Sequence, residues 1–243
     1  MLLTSPENSE IKNLRKLLSD AAYRREQKAL VCEGFKILQF AKNVRTLYAR
    51  EDIVLPENLQ KLRHRYIAKN IFDALSSMEN PQGIMTVCAR PKPAKYSEKK
   101  RYIFLDRLQD PGNLGTIIRT AAAFGLDGLI YNKGCVDVFA PKVVRASMGA
   151  VFTLDLLAAE ITDLTGNIIA ADLYGAAPEN LQINGGFVLA IGSEGQGLAA
   201  EILQRASQKV SLPIHKNKAE SLNAAVAAGI LLYLLQKPPK LTA

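Results

Sequence analysis

The sequence predicts an α/β protein built on parallel strands, and three observations predict it. Tyr102 to Gly128 (YIFLDRLQDPGNLGTIIRTAAAFGLDG) runs from an apolar strand-length segment through a tight turn into helical spacing. Asn167 to Asp172 (NIIAAD) and Phe187 to Ile191 (FVLAI) are continuous apolar runs, the pattern of strands buried on both faces. The first ninety residues also alternate short strands with helical patterns, which suggests a smaller α/β domain ahead of the main one.

Taken in order, Glu10 to Leu18 sets Ile11, Leu14, Leu17 and Leu18 on one helical face. A basic cluster, Arg24-Arg25-Glu26-Gln27-Lys28, precedes a short strand at Ala29 to Cys32, and Gly34 starts a helical pattern through Ala41. Val44 to Tyr48 reads as strand, Pro56 to Leu62 as a short helix and Tyr66 to Ala68 as strand. Ile71 to Leu75 starts a helix capped by Asn70, and Ile84 to Cys88 is a last strand. Arg90 to Arg101 (RPKPAKYSEKKR), with two prolines and little apolar content, reads as a linker. The expected division is therefore residues 1–90 as one domain, 91–101 as linker and 102–243 as the second domain. Later elements are a helix at Val143 to Ala146, a strand at Val151 to Leu154 and a helix at Asp155 to Leu164. A short strand over Val210 to Leu212 follows, then a helix over Leu222 to Leu235. That last helix is apolar on every side, so it belongs in a core or at a subunit interface.

Composition narrows the class. A 243-residue chain with 48% hydrophobic residues can bury a sizeable core, and it has no apolar run of membrane-span length. The N-terminus lacks the order of a signal peptide. Cys32, Cys88 and Cys135 are an odd number at wide spacing, which gives neither a disulfide framework nor a metal motif and fits a reduced cytoplasmic protein. The charge is uneven. Residues 1–100 hold 19 Lys+Arg against 11 Asp+Glu, while residues 101–243 hold 12 of each. The whole excess of +8 lies in the first part, which is where a polyanion such as nucleic acid would be met; a solvated basic face is the alternative.

In the central unit, Asp110-Pro111-Gly112 is a turn signal, Asn113 follows as helix N-cap and Gly125 closes the helix before a strand at Leu129 to Tyr131. Such a turn lies outside the carboxyl ends of parallel strands, where open α/β sheets bind ligands. Arg119 is a lone charge in TIIRTAAAF. Two more stretches stand out. Gly192 to Leu198 (GSEGQGL) follows a buried strand, so its glycines can bring backbone N–H groups close to a ligand; it lacks the dinucleotide G-x-G-x-x-G pattern, which disfavours a nicotinamide enzyme. Ala219 to Ala225 starts a helix, and taken alone Ser221 and Asn223 read as caps.

Together, Asn113/Gly115/Arg119, then Ile191 to Leu198, then Leu212-Pro213 with Ser221-Leu222-Asn223 resemble the SpoU, or TrmH-like, branch of the SPOUT RNA methyltransferases. Ser5-Pro6, the early basic helix, Cys32-Glu33-Gly34 and Pro81-Gln82-Gly83 resemble the substrate-binding domain that often precedes that catalytic domain. The resemblance implies a parallel-sheet domain with a deep trefoil knot, an exception to unknotted topology. It implies S-adenosylmethionine as cofactor, homodimerisation through the C-terminal domain and no membrane. The implied reaction is methylation of a ribose 2′-hydroxyl of structured RNA, 23S ribosomal RNA ahead of tRNA, with a non-catalytic RNA-binding relative as a further alternative. By position, Gly192, Leu212 and Leu222, with Ile191 and Gly197 beside them, match cofactor-contacting residues; Asn113, Arg119, Glu194, Ser221 and Asn223 match catalytic or motif-defining positions. No metal is implied. The resemblance implies a base role for the arginine, but a guanidinium holds its protons in proteins, so Arg119 is expected to clamp an RNA phosphate instead. Glu194 is expected to position Arg119 or a backbone amide. His64 and His215 are expected to be surface or hydrogen-bonded residues. Ile214 to Lys218 departs from the family pattern in having no glycine, and Asn217 is expected to supply the left-handed residue.

Overall fold

The computed structural model describes residues 2–215, 217–218 and 220–235. In chain order its elements are β1 (Leu2–Leu3), α1 (Ser9–Ser19), α2 (Ala21–Glu26), β2 (Ala29–Glu33), α3 (Phe35–Leu38), β3 (Val44–Arg50), α4 (Glu57–Gln60), β4 (His64–Ile67), α5 (Lys69–Leu75) and β5 (Ile84–Ala89). There follow β6 (Arg101–Leu105), α6 (Pro111–Ala123), β7 (Gly128–Tyr131), α7 (Pro141–Ala146), β8 (Asp155–Ala158), β9 (Ile168–Ala176), β10 (Phe187–Ile191), α8 (Ala200–Arg205), β11 (Gln208–Val210) and α9 (Ala224–Leu235). The chain forms two compact units. One is residues 1–91 with 137–152; the other is 92–136 with 153–243. Residues 137–152, an excursion that the sequence division puts after the linker, group with the first unit.

The first unit has a mixed sheet in the order β1-β4-β3-β5-β2. Strands β3 and β4 run parallel, while β5 is antiparallel to both β3 and β2. Asn8 caps α1 by accepting from the Glu10 N–H at 2.8 Å, and α1 buries Ile11, Leu14 and Leu17 with Phe72, Tyr48 and Met85. The Glu33-Gly34 and Gln82-Gly83 motifs lock together. Gln82 Oε1 accepts the Phe35 N–H at 3.0 Å, and a side chain on Gly34, whose φ is +100°, would meet that oxygen at 2.8 Å. The excursion is held by a buried ion pair: Arg24 reaches Asp137 at 2.7 Å and donates to the Leu17 carbonyl at 2.8 Å. Asn70 is no cap. Helix α5 starts one residue before it, at Lys69, with Ala68 in the cap position.

The second unit has an all-parallel sheet, β11-β9-β10-β6-β7-β8. Every residue of β10, at the sheet's centre, is buried, as the unbroken apolar run requires, while β9 is buried only over its first three residues. Ala94 and Tyr96, from the segment read as linker, pack against this core. Two expected elements differ. Residues 150–152 form a 3-10 turn, and Asp155–Ala158 is a strand paired with β7 where a helix was expected. The leucines fit either period, and pairing beside β7 decides for the strand. The topology also fixes where a ligand can sit. From β6 the chain builds outward through β7 and β8, then returns to place β10 on the other side of β6. The sheet reverses its winding between β6 and β10, and at such a switch point the loops after the two strands diverge to leave a crevice. No helix among the described residues is long and apolar enough to cross a membrane.

Candidate active site

The β6 loop is shaped by its turn residues. Helix α6 begins at Pro111, so Asp110 takes the cap position and its Oδ1 accepts the Asn113 N–H at 2.6 Å. Asn113, read from the sequence as the cap, sits in the first turn, and that leaves its amide free to reach outward. Gly112 leaves the cap undisturbed, because a Cβ there would come within 2.9 Å of Asp110 Oδ1 and press on it.

The Asn113 amide joins both other motifs. Its Nδ2 donates to Glu194 Oε1 at 2.5 Å, and its Oδ1 accepts from Asn223 Nδ2 at 3.0 Å. Asn223 is fixed in turn, since its Oδ1 accepts the Ala225 and Val226 N–H groups at the start of α9. Its cap role and its contact with Asn113 use opposite ends of one side chain. Glu194 stands on the glycine loop after β10, where the Gly197 N–H bonds the Ser193 carbonyl at 2.9 Å. A Cβ on Gly192 would lie 2.1 Å from the Gly197 backbone, so the loop closes this tightly only with glycine there.

The other motif residues differ in burial and in partners. Ile191 ends β10, buried, with its carbonyl accepting the Asp106 N–H at 2.9 Å. Arg119 is exposed on α6 and makes no hydrogen bond or ion pair with any described residue. It is therefore neither part of an internal salt bridge nor held by Glu194, whose described partner is Asn113. Leu212 is half-buried after β11, Leu222 is 37% exposed, and Ser221 is exposed without a hydrogen bond to a described residue. His215 is exposed, and His64 Nδ1 lies 3.0 Å from the Leu62 carbonyl. The expectation for Asn217 turns on Lys216, which lies outside the described residues. A depression of about 530 Å³ lined by Asn167, Asn180, Gln182, Asn184 and Gln208 sits at the N-terminal ends of β9 and β11, the far end of the sheet from this chemistry.

Residues 100–233 match the model of the SpoU rRNA Methylase family, and residues 8–86 match the MRM3-like substrate binding domain. The chain belongs to the SpoU rRNA methylase family. It is 30% identical over 247 residues to the 23S rRNA (guanosine(2553)-2'-O)-methyltransferase RlmP of Bacillus subtilis, covering 96% of this chain and 98% of that one. An AdoMet-bound rRNA methyltransferase from Sinorhizobium meliloti superposes with a TM-score of 0.84 at 29% identity, over 97% of each chain. The SpoU methyltransferase AviRb from Streptomyces viridochromogenes, in complex with AdoMet, gives 0.83 at 26% identity over 94% of this chain and 97% of that one.

This SpoU family member also carries residues at the switch point that the motif reading passed over. Asp106, 1% exposed by side chain, accepts from Arg107, from Asn132 Nδ2 at 2.8 Å and from the Ala199 N–H at 2.8 Å. Burial pushes its carboxyl up, but these donors together outweigh it and hold the carboxyl below the usual range. A charged pair, Asp106-Arg107, directly after an apolar strand was the available signal.

Proposed function

We propose that this chain transfers a methyl group from S-adenosylmethionine to the 2′-hydroxyl of a ribose in ribosomal RNA. The observation that carries the reading is the side-chain chain Glu194–Asn113–Asn223, which ties three distant motifs together at the switch point of a SpoU family sheet. The named relatives act on 23S rRNA or bind AdoMet, which supports both substrate class and cofactor.

The residues suit such a cofactor. Gly192 lets the loop close on itself, Gly197 leaves open space beside the backbone, and Leu212 and Leu222 offer apolar surface; these, with Ile191, would hold it. When bound, S-adenosylmethionine supplies an electrophilic methyl on a sulfonium sulfur, so the protein's task is orientation. Correct alignment of a hydroxyl with such a methyl can lower the barrier by about 7–11 kcal/mol. Asn113, its amide pinned at both ends, fixes one wall for the ribose. Arg119, exposed and without a described partner, grips an RNA phosphate through its fork of N–H donors. The guanidinium keeps its proton, so the hydroxyl proton leaves to another acceptor. Asn223 orders the start of α9.

The basic excess of residues 1–100 faces the RNA in this reading, and likeness to the Bacillus subtilis enzyme supports work in the cytoplasm. A second copy covers the stripe of Val226, Ile230, Tyr233 and Leu234, which are 50%, 39%, 65% and 47% exposed on α9. The C-terminal segment threads the trefoil knot of the family. Incubation of purified protein with labelled S-adenosylmethionine and 23S rRNA, followed by mapping of ribose methyls, tests the function: label in 23S rRNA at a 2′-oxygen is the expected result. Label in tRNA alone, or none with intact cofactor binding, would overturn it. Val226→Glu with Ile230→Glu should yield a monomer by light scattering.

A further inference from the structure

Arg107 occupies a position where an arginine is costly. Its φ is +53°, in the left-handed region that glycine normally takes, and it follows directly on the end of β6. Its surroundings are built to keep it there. Its N–H donates to Asn132 Oδ1 at 2.9 Å, and Gly134 leaves room for its stem, since a Cβ on that glycine would fall 2.3 Å from Arg107 Cγ. The guanidinium lies along the buried Asp106 carboxylate, with Nε and Nη2 each 2.9 Å from one oxygen. The other side of the same fork reaches the glycine loop, with Nη1 2.7 Å from Gln196 Oε1 and Nη2 3.4 Å from the Gly197 carbonyl.

The loop after β10 is therefore held at three places by two consecutive residues. Its start is fixed where the Ile191 carbonyl accepts the Asp106 N–H, and its end where the Ala199 N–H donates to Asp106 Oδ2. Its crest is fixed by Arg107. We infer that Arg107 is a positioning residue of the methyltransferase site: its guanidinium, seated on Asp106, holds the crest of the glycine loop at Gln196 and Gly197 and so sets the loop for S-adenosylmethionine. A lysine could reach one of these acceptors, but it has no planar fork to lie along a carboxylate and reach the crest together. Left-handed strain at 107 is the cost of placing that fork.

The inference rests on the proposed function for its ligand but not for its geometry, and the test separates the two. Arg107→Gly keeps the left-handed backbone without strain and removes the whole side chain; Arg107→Lys keeps the stem and the charge without the planar fork. In the full chain without cofactor, amide exchange at Gly197 and Ala199 should speed up tenfold or more in Arg107→Gly, with Leu189 and Phe104 in the sheet unchanged. The dissociation constant for S-adenosylmethionine, by calorimetry, should rise about tenfold or more. Turnover at saturating cofactor should stay within about threefold, with Arg107→Lys between wild type and Arg107→Gly. Wild-type exchange in Arg107→Gly would overturn the inference, as would faster exchange with unchanged cofactor affinity. A wild-type protein that binds no S-adenosylmethionine would overturn the proposed function, and the exchange comparison would then decide alone whether Arg107 sets the loop.

Discussion

Asn223 donates to Asn113 Oδ1 at 3.0 Å across 110 residues of chain, and Asn113 passes the contact on to Glu194 at 2.5 Å. An amide suits the middle place because it is donor at one end and acceptor at the other. Asn113→Asp keeps the shape and the acceptor toward Asn223, but sets a carboxylate against the Glu194 carboxylate. Like charges so close raise the proton affinity of the pair. Methyl transfer by this variant should fall on the order of a hundredfold at neutral pH, the cost of misplacing a positioned group. It should recover in part as pH falls and the pair takes up a proton that restores the hydrogen bond. A pH profile of turnover with no recovery on the acid side would argue against the positioning role.

Much of the second unit was legible because local signals and the final contacts agree there. The apolar runs of β6 and β10, Pro111 inside the first turn of α6, and Gly125 at its end with φ +66° all carry their role in their residue types. Asn113 shows the limit. Asparagine is a good cap, and only the start of α6 at Pro111 hands that place to Asp110 and frees Asn113 for the site. Residues 155–158 failed for a different reason, since strand pairing with β7 is a long-range choice that leucine spacing does not encode. Nor could the excursion 137–152 be assigned from the sequence, because Asp137 is a surface-type residue until Arg24, 113 positions earlier, is beside it.

That pair should dominate the attachment of the excursion. The Arg24 side chain is 4% exposed and that of Asp137 22%, so removing one partner leaves the other charge poorly solvated. Asp137→Ala should lower the stability of the first unit by about 3 kcal/mol, near the low end for a broken buried pair because Asp137 keeps some solvent. Arg24→Met with Asp137→Leu should recover most of the loss. Amide exchange of β2, read in each variant, follows the first unit by itself.

Tyr48 supplies a pH prediction. Burial, and then the Glu10 carboxylate that accepts its hydroxyl at 3.1 Å, push its phenol up to about 12. The folded state therefore holds this proton more tightly than the unfolded chain, whose tyrosines titrate near about 10. The associated stability is present below about pH 10 and is lost as pH rises toward about 12, with a size of about 2–3 kcal/mol. Burial raises Tyr96 and Tyr102 as well, so phenolate absorbance should show several late-ionising tyrosines, and Tyr48→Phe should remove one of them. A titration of Tyr48→Phe identical to wild type would count against the assignment.

Arg119 differs from every cation in the ion pairs described above because it is exposed and has no described partner to lose. Substitutions at such a surface position move stability by only about 0.5 kcal/mol, so Arg119→Ala and Arg119→Lys should melt like wild type. Their effect should appear with RNA alone. If the fork binds one phosphate, Arg119→Ala should weaken RNA binding and reduce the slope of log affinity against log salt by about 1. Arg119→Lys should keep the slope, since the charge remains, yet lose turnover, since the paired N–H contacts that hold the strand in line are gone. S-adenosylmethionine affinity should be unchanged in both variants. Near-normal turnover in Arg119→Lys would exclude a bidentate clamp, and an unchanged salt slope in Arg119→Ala would exclude a phosphate contact altogether.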